Sequence, residues 1–184
     1  MSGTPKRKPG RTPELALTVQ YGTRSAQLPS RAKFGLWVRA ALRRKARVTL
    51  RLVGAREARL LNLNYRGCDY ATNVLTFIYS GQRPLEGDIA ICAPVVAREA
   101  FRCGIRREAH YAHLTVHGVL HLQGYDHARA ADAIRMEKLE TRILARLGFA
   151  DPYRDTTQDG IRKSARPRAR ASRLTPHASR EYGR

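Results

Sequence analysis

The chain has 184 residues, 42% of them apolar, which leaves room for one ordinary domain with a substantial core. Its formal charge is +20, of which residues 1–12 carry +4 and residues 162–184 carry +7, leaving +9 for the middle. No stretch approaches the about eighteen apolar residues of a membrane span, and Cys68, Cys92 and Cys103 form no CxxC pair, which speaks against a disulfide framework and for a reducing cytoplasm.

Residues 1–13 hold three prolines, two glycines and four basic residues, and read as a flexible basic arm without the apolar core of a signal peptide. The folded domain is expected over 14–160. LALTVQY at 15–21 alternates and predicts a strand. Ser30 is placed to cap a helix whose apolar stripe is Phe34, Trp37, Val38, Ala41 and Leu42. VTLRLV at 48–53 predicts a second strand ended by Gly54, followed by a short helix near 56–63. Residues 73–79, β-branched and aromatic, and GDIAICA at 87–93 predict two more strands.

Beyond Pro94, the residues Val95, Val96, Ala100 and Phe101 predict a helix ending at Gly104. A second helix is expected over 106–122. A third, over 128–147, has Ile134, Met136, Leu139, Ile143 and Leu147 at helical spacing and Gly148 beyond it. From 161 onward Arg alternates with Pro, Ala and Ser, which predicts a disordered basic tail, either merely solvated or binding phosphates without specificity. Strand, helix, three strands and then helices make an α+β single domain: a mixed four-stranded sheet packed against several helices, with a helix on one face and a helical C-terminal half.

The segment HGVLHLQGYDH at 117–127 carries the chemistry. His117 and His121, four apart, stack on one helix face, and Gly124 permits a turn that brings His127 back, so a helix and the following turn form a metal cleft. Three protein ligands with an open position are the arrangement of catalytic zinc. Three neutral imidazoles favour one divalent late transition metal, zinc, nickel or another, over magnesium, without choosing between zinc and nickel. The spacing resembles the metzincin signature HExxHxxGxxH, but position 118 is Gly, so the general base of peptide hydrolysis is missing. A metal here can still activate water and polarise a phosphoryl oxygen. The basic charge favours a polyanion without naming it.

HGVLHLQGYDH is very similar to the HGxLHLxGYDH signature of the YbeY family of bacterial rRNA maturation factors and endoribonucleases. LNLNYRGCDYATNVLTF resembles the family's LNxxYRxxDxxTDVLSF, and GDIAIC, AH before the histidines and LGFADPY follow in order, covering about residues 50–153. The resemblance implies a metal-dependent, single-strand-specific endoribonuclease. It implies roles in maturing the 3′ end of small-subunit rRNA and in ribosome quality control. The implied partners are single-stranded RNA, the small-subunit rRNA precursor and ribosomal subunits. It puts the metal on His117, His121 and His127 and the family's functional arginine on Arg66, where a guanidinium would stabilise a developing phosphoryl charge. The chain departs from the pattern at Asn73, commonly Asp, and Thr76, commonly Ser.

Supporting candidates are His113, Asp126 and Asn73. Asp126 either bonds a ligating imidazole or caps the helix starting near Ala128. His113 and His110 read as boundary histidines or, for His113, as a group near the metal. Two other functions are compatible with the residues alone. One is a metal-dependent peptidase or general hydrolase; the other is a nonenzymatic ribosome-associated RNA-binding protein with a structural metal.

Overall fold

The computed structural model describes residues 13–80 and 84–154 and the backbone of residues 172–173; the expected N-terminal arm, apart from Pro13, and the rest of the C-terminal tail lie outside the described residues. Strand β1 (Leu15–Tyr21) lies parallel to β2 (Ala46–Val53), and α1 (Arg31–Ala41) connects them. Ser30 accepts the backbone N–H of Lys33 through its hydroxyl oxygen, so α1 starts where its cap predicts. Helix α2 (Ala55–Arg66) ends at Gly67 and leads to β3 (Val74–Ser80), which pairs antiparallel with β4 (Leu85–Cys92). Strand β4 also lies parallel to β2. Three helices follow: α3 (Ala93–Arg102), α4 (Arg107–Leu122) and α5 (Ala130–Arg146). A two-residue strand, β5 (Ser172–Arg173), adds to the outer edge of β3, and the sheet order is β1-β2-β4-β3-β5.

The mixed four-stranded sheet packed against several helices is thus present, with β5 as an addition, and helices cover both of its faces. On the first face Val48, Leu50, Leu52, Ile89 and Ile91 meet Phe34 and Trp37 of α1, Tyr111 and Leu120 of α4, and Met136 and Leu144 of α5. On the second, Val53, Leu75, Phe77, Ala90 and Cys92 pack with Ala58 of α2 and Val95 of α3. The unbroken apolar run IAIC in β4 reflects this, since a strand buried on both sides has no polar face to alternate with.

Two apolar residues on which the helix predictions rest face solvent: Phe101 is 90% and Ile134 52% exposed. At about 100° per residue, Ile134 lies roughly 200° around the helix from Met136, so both cannot face one core. Phe101 is likewise turned away from Val96 and Ala100, which form the buried side of α3. Helix α4 differs from its neighbours in being buried nearly all round from Tyr111 to Leu122, because the sheet, α1, α3 and α5 all pack against it. It packs tightly on the sheet at Gly118, where a Cβ would come within 2.9 Å of Ile89 Cγ2.

Candidate metal centre

Helix α4 and the turn after it build the site. At the end of α4, Gly124 takes φ 90°; its N–H reaches His121 O at 2.9 Å, and that of Tyr125 reaches Leu120 O at 3.1 Å. This pair of bonds is the left-handed helix stop that glycine favours, and it reverses the chain so that His127 returns toward the last helical turn. The ligating nitrogens of His117, His121 and His127 all lie within 4.8 Å of one another. The His117 and His121 rings are 4.5 Å apart between centroids, and His127 stacks 5.5 Å from His117.

A buried carboxylate orients the first of these rings. Glu140 of α5, fully buried, accepts from His117 Nδ1 at 2.8 Å, which turns His117 Nε2 toward His121 Nε2 at 3.1 Å. The other Glu140 oxygen accepts from His113 Nε2 at 3.3 Å and from the Tyr153 hydroxyl. Burial pushes the Glu140 carboxyl up, but the hydrogen bonds from His113 and His117 outweigh it and hold it well below the usual carboxylate range. The set fits a divalent ion: two of the imidazoles are kept neutral by burial, the third turns its Nε2 to the same point, and His121 Nδ1 is buried without a partner.

Burial, and next the rings of His117 and His127, push His121 down to about 3; burial also lowers His113, against the opposing pull of Glu140. A ring that binds its proton more weakly folded than unfolded makes the unfolded state the better base. The His121 contribution to the stability of the metal-free protein is therefore full above about pH 6.5 and is lost with acidification toward pH 3, by up to about 1.4 kcal/mol per pH unit, and His113 acts in the same direction. The Glu140 contribution is lost only below the ordinary carboxyl range, outside the upper part of this window. Urea unfolding of metal-free protein is expected to show a lower midpoint at pH 5.5 than at pH 7.5; equal midpoints would mean that these rings are not buried in neutral form.

Among the other expected residues, Asp126 accepts the backbone N–H of His127 at 2.7 Å and does not cap the next helix, since α5 begins at Ala130 without a side-chain cap. Asn73 lies apart from the three histidines. Its Oδ1 accepts from Val74 N at 2.7 Å and its Nδ2 donates to Glu99 Oε2 at 3.0 Å; Glu99 in turn bonds His110, about 10 Å along α4 from His117. An aspartate at 73 would set a second carboxylate against Glu99, so the amide matches this surrounding. Arg66 closes α2 and is half-buried. Its neighbour Tyr65 packs edge-on against Phe77 on the second face of the sheet, whereas Leu122 at the end of α4 lies on the first, so the ends of α2 and α4 reach the β3–β4 pair from opposite sides.

A Cβ at Gly118 would meet Ile89 Cγ2 at 2.9 Å, so the glutamate of a peptidase could enter here only by displacing that buried side chain. Residues not anticipated from the sequence complete the surroundings. Gln123 accepts the N–H of Arg43 and donates to Ala41 O, which docks the end of α1 on the histidine turn. Arg43 then lies 5.8 Å over the Tyr125 ring and Arg44 reaches Gln123 O. A groove of about 370 Å³ runs beside the turn, lined by Gln123, Gly124, Tyr125, Asp126, Asp132 and Arg135. Glu140 left one signal in the sequence, a charge on the stripe that also holds Met136, Ile143 and Leu144.

The chain matches the family model described as Endoribonuclease YbeY over residues 30–148. It is 51% identical over 153 residues to the Endoribonuclease YbeY of Nitrosomonas europaea, covering 83% of this chain and 93% of that protein. It is 53% identical over 137 residues to that of Nitrosomonas eutropha, covering 74% and 97%, and 55% identical over 142 residues to that of Aromatoleum aromaticum, covering 76% and 92%.

Proposed function

The chain belongs to the YbeY endoribonuclease family, and on that basis we propose that it is a metal-dependent endoribonuclease of rRNA processing that cuts single-stranded RNA. The observation that carries this reading is the convergence of His117, His121 and His127 on one point at the end of α4. Zinc is the proposed ion. When bound it supplies Lewis acidity toward a phosphoryl oxygen and activates water.

The chain's own residues do the rest. Glu140 fixes the His117 ring, Arg43 and Arg44 place positive charge beside the turn, and Arg66 stabilises the negative charge that develops on the phosphoryl oxygens. The expected substrate is the small-subunit rRNA precursor near its 3′ end, with a further role in ribosome quality control, and the partners are ribosomal subunits in the cytoplasm. Among the described residues no helix is long and apolar enough to cross a membrane. A peptidase is disfavoured because Gly118 is packed against Ile89, and a nonenzymatic role is disfavoured by membership of an endoribonuclease family.

Single-turnover cleavage of a single-stranded RNA tests the reading. Wild-type protein is expected to cut, chelator-stripped protein is expected not to, and added zinc restores the rate. Arg66→Ala is expected to keep its fold and metal content while cleaving about 100- to 1,000-fold more slowly, the usual cost of removing one donor to a developing oxyanion. An unchanged rate in that variant would reject the role of Arg66. Product ends distinguish direct attack by water, which leaves a 5′ phosphate, from attack by the 2′-hydroxyl, which leaves a cyclic phosphate.

A further inference from the structure

The segment after α5 folds back onto the metal centre and is held at three points. Gly148 takes φ 80° and turns the chain. Phe149 packs edge-on against Trp37 of α1 at 6.0 Å between centroids. Asp151 accepts from Thr141 Oγ1 at 3.1 Å and from the N–H of Tyr153 at 3.0 Å, which pins the segment one residue beyond Glu140. Tyr153 then delivers its hydroxyl to Glu140 Oε2, within 3.3 Å of His113 Nε2 as well. Every one of these bonds ends on the carboxylate that holds His117, or on a group that fixes the segment delivering Tyr153.

We propose that Glu140 is the positioning residue of the metal centre and that Tyr153, with His113, holds Glu140 in the rotamer that fixes the Nδ1–H form of His117. The proposal rests on the metal site being the three histidines. A fully buried carboxylate with two oxygens has to be satisfied on both sides. His117 satisfies Oε1; His113 and Tyr153 satisfy Oε2. Without the donors on Oε2, the carboxylate gains nothing from its present orientation, and the ring it holds is free to turn or to take the other tautomer. The stretch GFADPY therefore acts as a clamp on the site as well as the end of the domain.

The same atoms also allow a different reading, because His113, His117 and Glu140 could themselves surround an ion, their ligand atoms lying within 4.8 Å of one another. The hydrogen-bond reading is favoured by the donor set. Glu140 already accepts from three donors, and His117 has one nitrogen for the carboxylate and one for the cluster it shares with His121.

The test measures zinc affinity by competition with a chromophoric chelator in wild type, Glu140→Gln, Tyr153→Phe and the double variant, with His121→Ala as the site control. Glu140→Gln is expected to weaken zinc binding by about 10- to 100-fold, the usual effect of losing such a partner. Tyr153→Phe, which removes one oxygen from a partly exposed ring and leaves the fold intact, is expected to weaken it by about 2- to 10-fold. The double variant is expected to match Glu140→Gln alone, because Tyr153 acts through Glu140. The imidazole ¹⁵N spectrum of His117 in metal-free protein is expected to show the Nδ1–H form in wild type and a mixture in Glu140→Gln. Additive losses, or an unchanged His117 spectrum, would overturn the positioning role. So would a stoichiometry of two ions that falls to one in Glu140→Gln, since Glu140 would then be a ligand. Undiminished zinc binding in His121→Ala would defeat the site reading itself, whereas loss there with no change in Glu140→Gln defeats only the positioning role.

Discussion

Replacing His121 with alanine is expected to empty the centre of its metal and to slow RNA cleavage by about a thousandfold or more, with the chain still folded. A catalytic ion of this kind stands on three protein ligands, and two leave it weakly held. The ion contributes several kcal/mol of stabilisation to the charge that develops on phosphate, and each 1.36 kcal/mol is about a factor of ten in rate. His121 is buried, so its truncation leaves a small cavity, but it also removes a ring nitrogen that has no partner in the metal-free site. The stability of metal-free His121→Ala is therefore expected to stay close to that of metal-free wild type. His127→Ala serves as a companion because His127 is only partly buried and its loss disturbs little packing. Elemental analysis with a single-turnover cleavage assay decides the matter: retained metal and cleavage within tenfold of wild type would remove these residues from the catalytic site.

The second large effect concerns the residue that makes this histidine segment unlike a peptidase's. Gly118→Glu, which restores HExxH on paper, is expected to destabilise the protein by several kcal/mol and to yield no peptidase activity. The first added atom, Cβ, already falls 2.9 Å from Ile89 Cγ2 in a fully buried contact. Overpacking of this kind costs about 1–3 kcal/mol, and the carboxylate beyond it would be buried against the sheet without a donor. Gly118→Ala isolates the first effect. Its helix-propensity gain of about 1 kcal/mol offsets part of the steric cost, so a smaller loss is expected. Urea unfolding of the metal-free proteins measures both. A Gly118→Glu protein with the wild-type midpoint would show that α4 can move away from β4, and the packing account of this glycine would fail.

Particular residues show how far a sequence carries such a reading. Ser30 predicted the start of α1 because a cap is a local device, its oxygen reaching an N–H three residues ahead. The three metal-site histidines were legible for the same reason, since a helix and one glycine turn bring them together within eleven residues. Ile134, counted with Met136 and Ile143 at helical spacing, faces solvent because apolar spacing predicts a helix but not which side of it a neighbour will cover. The Asp126 cap was misplaced because α5 starts two residues later than expected. Glu99 and Asn73 are 26 positions apart, and nothing in either stretch announces their bond.

By itself the sequence determined the alternation that makes strands, the caps and glycines that bound helices, the histidine spacing that makes a metal site and the motif order that marks the family. All of these are set by contacts within one or two turns of chain, where backbone geometry translates spacing directly into position. The tertiary structure alone decided that Gly118 is a point of contact with Ile89, that Arg43 and Arg44 stand beside the histidine turn, and that Glu140 and Tyr153 lie behind His117. These depend on how α1, α4, α5 and the returning segment dock on one another, and docking is settled by the burial of whole faces rather than by any local pattern.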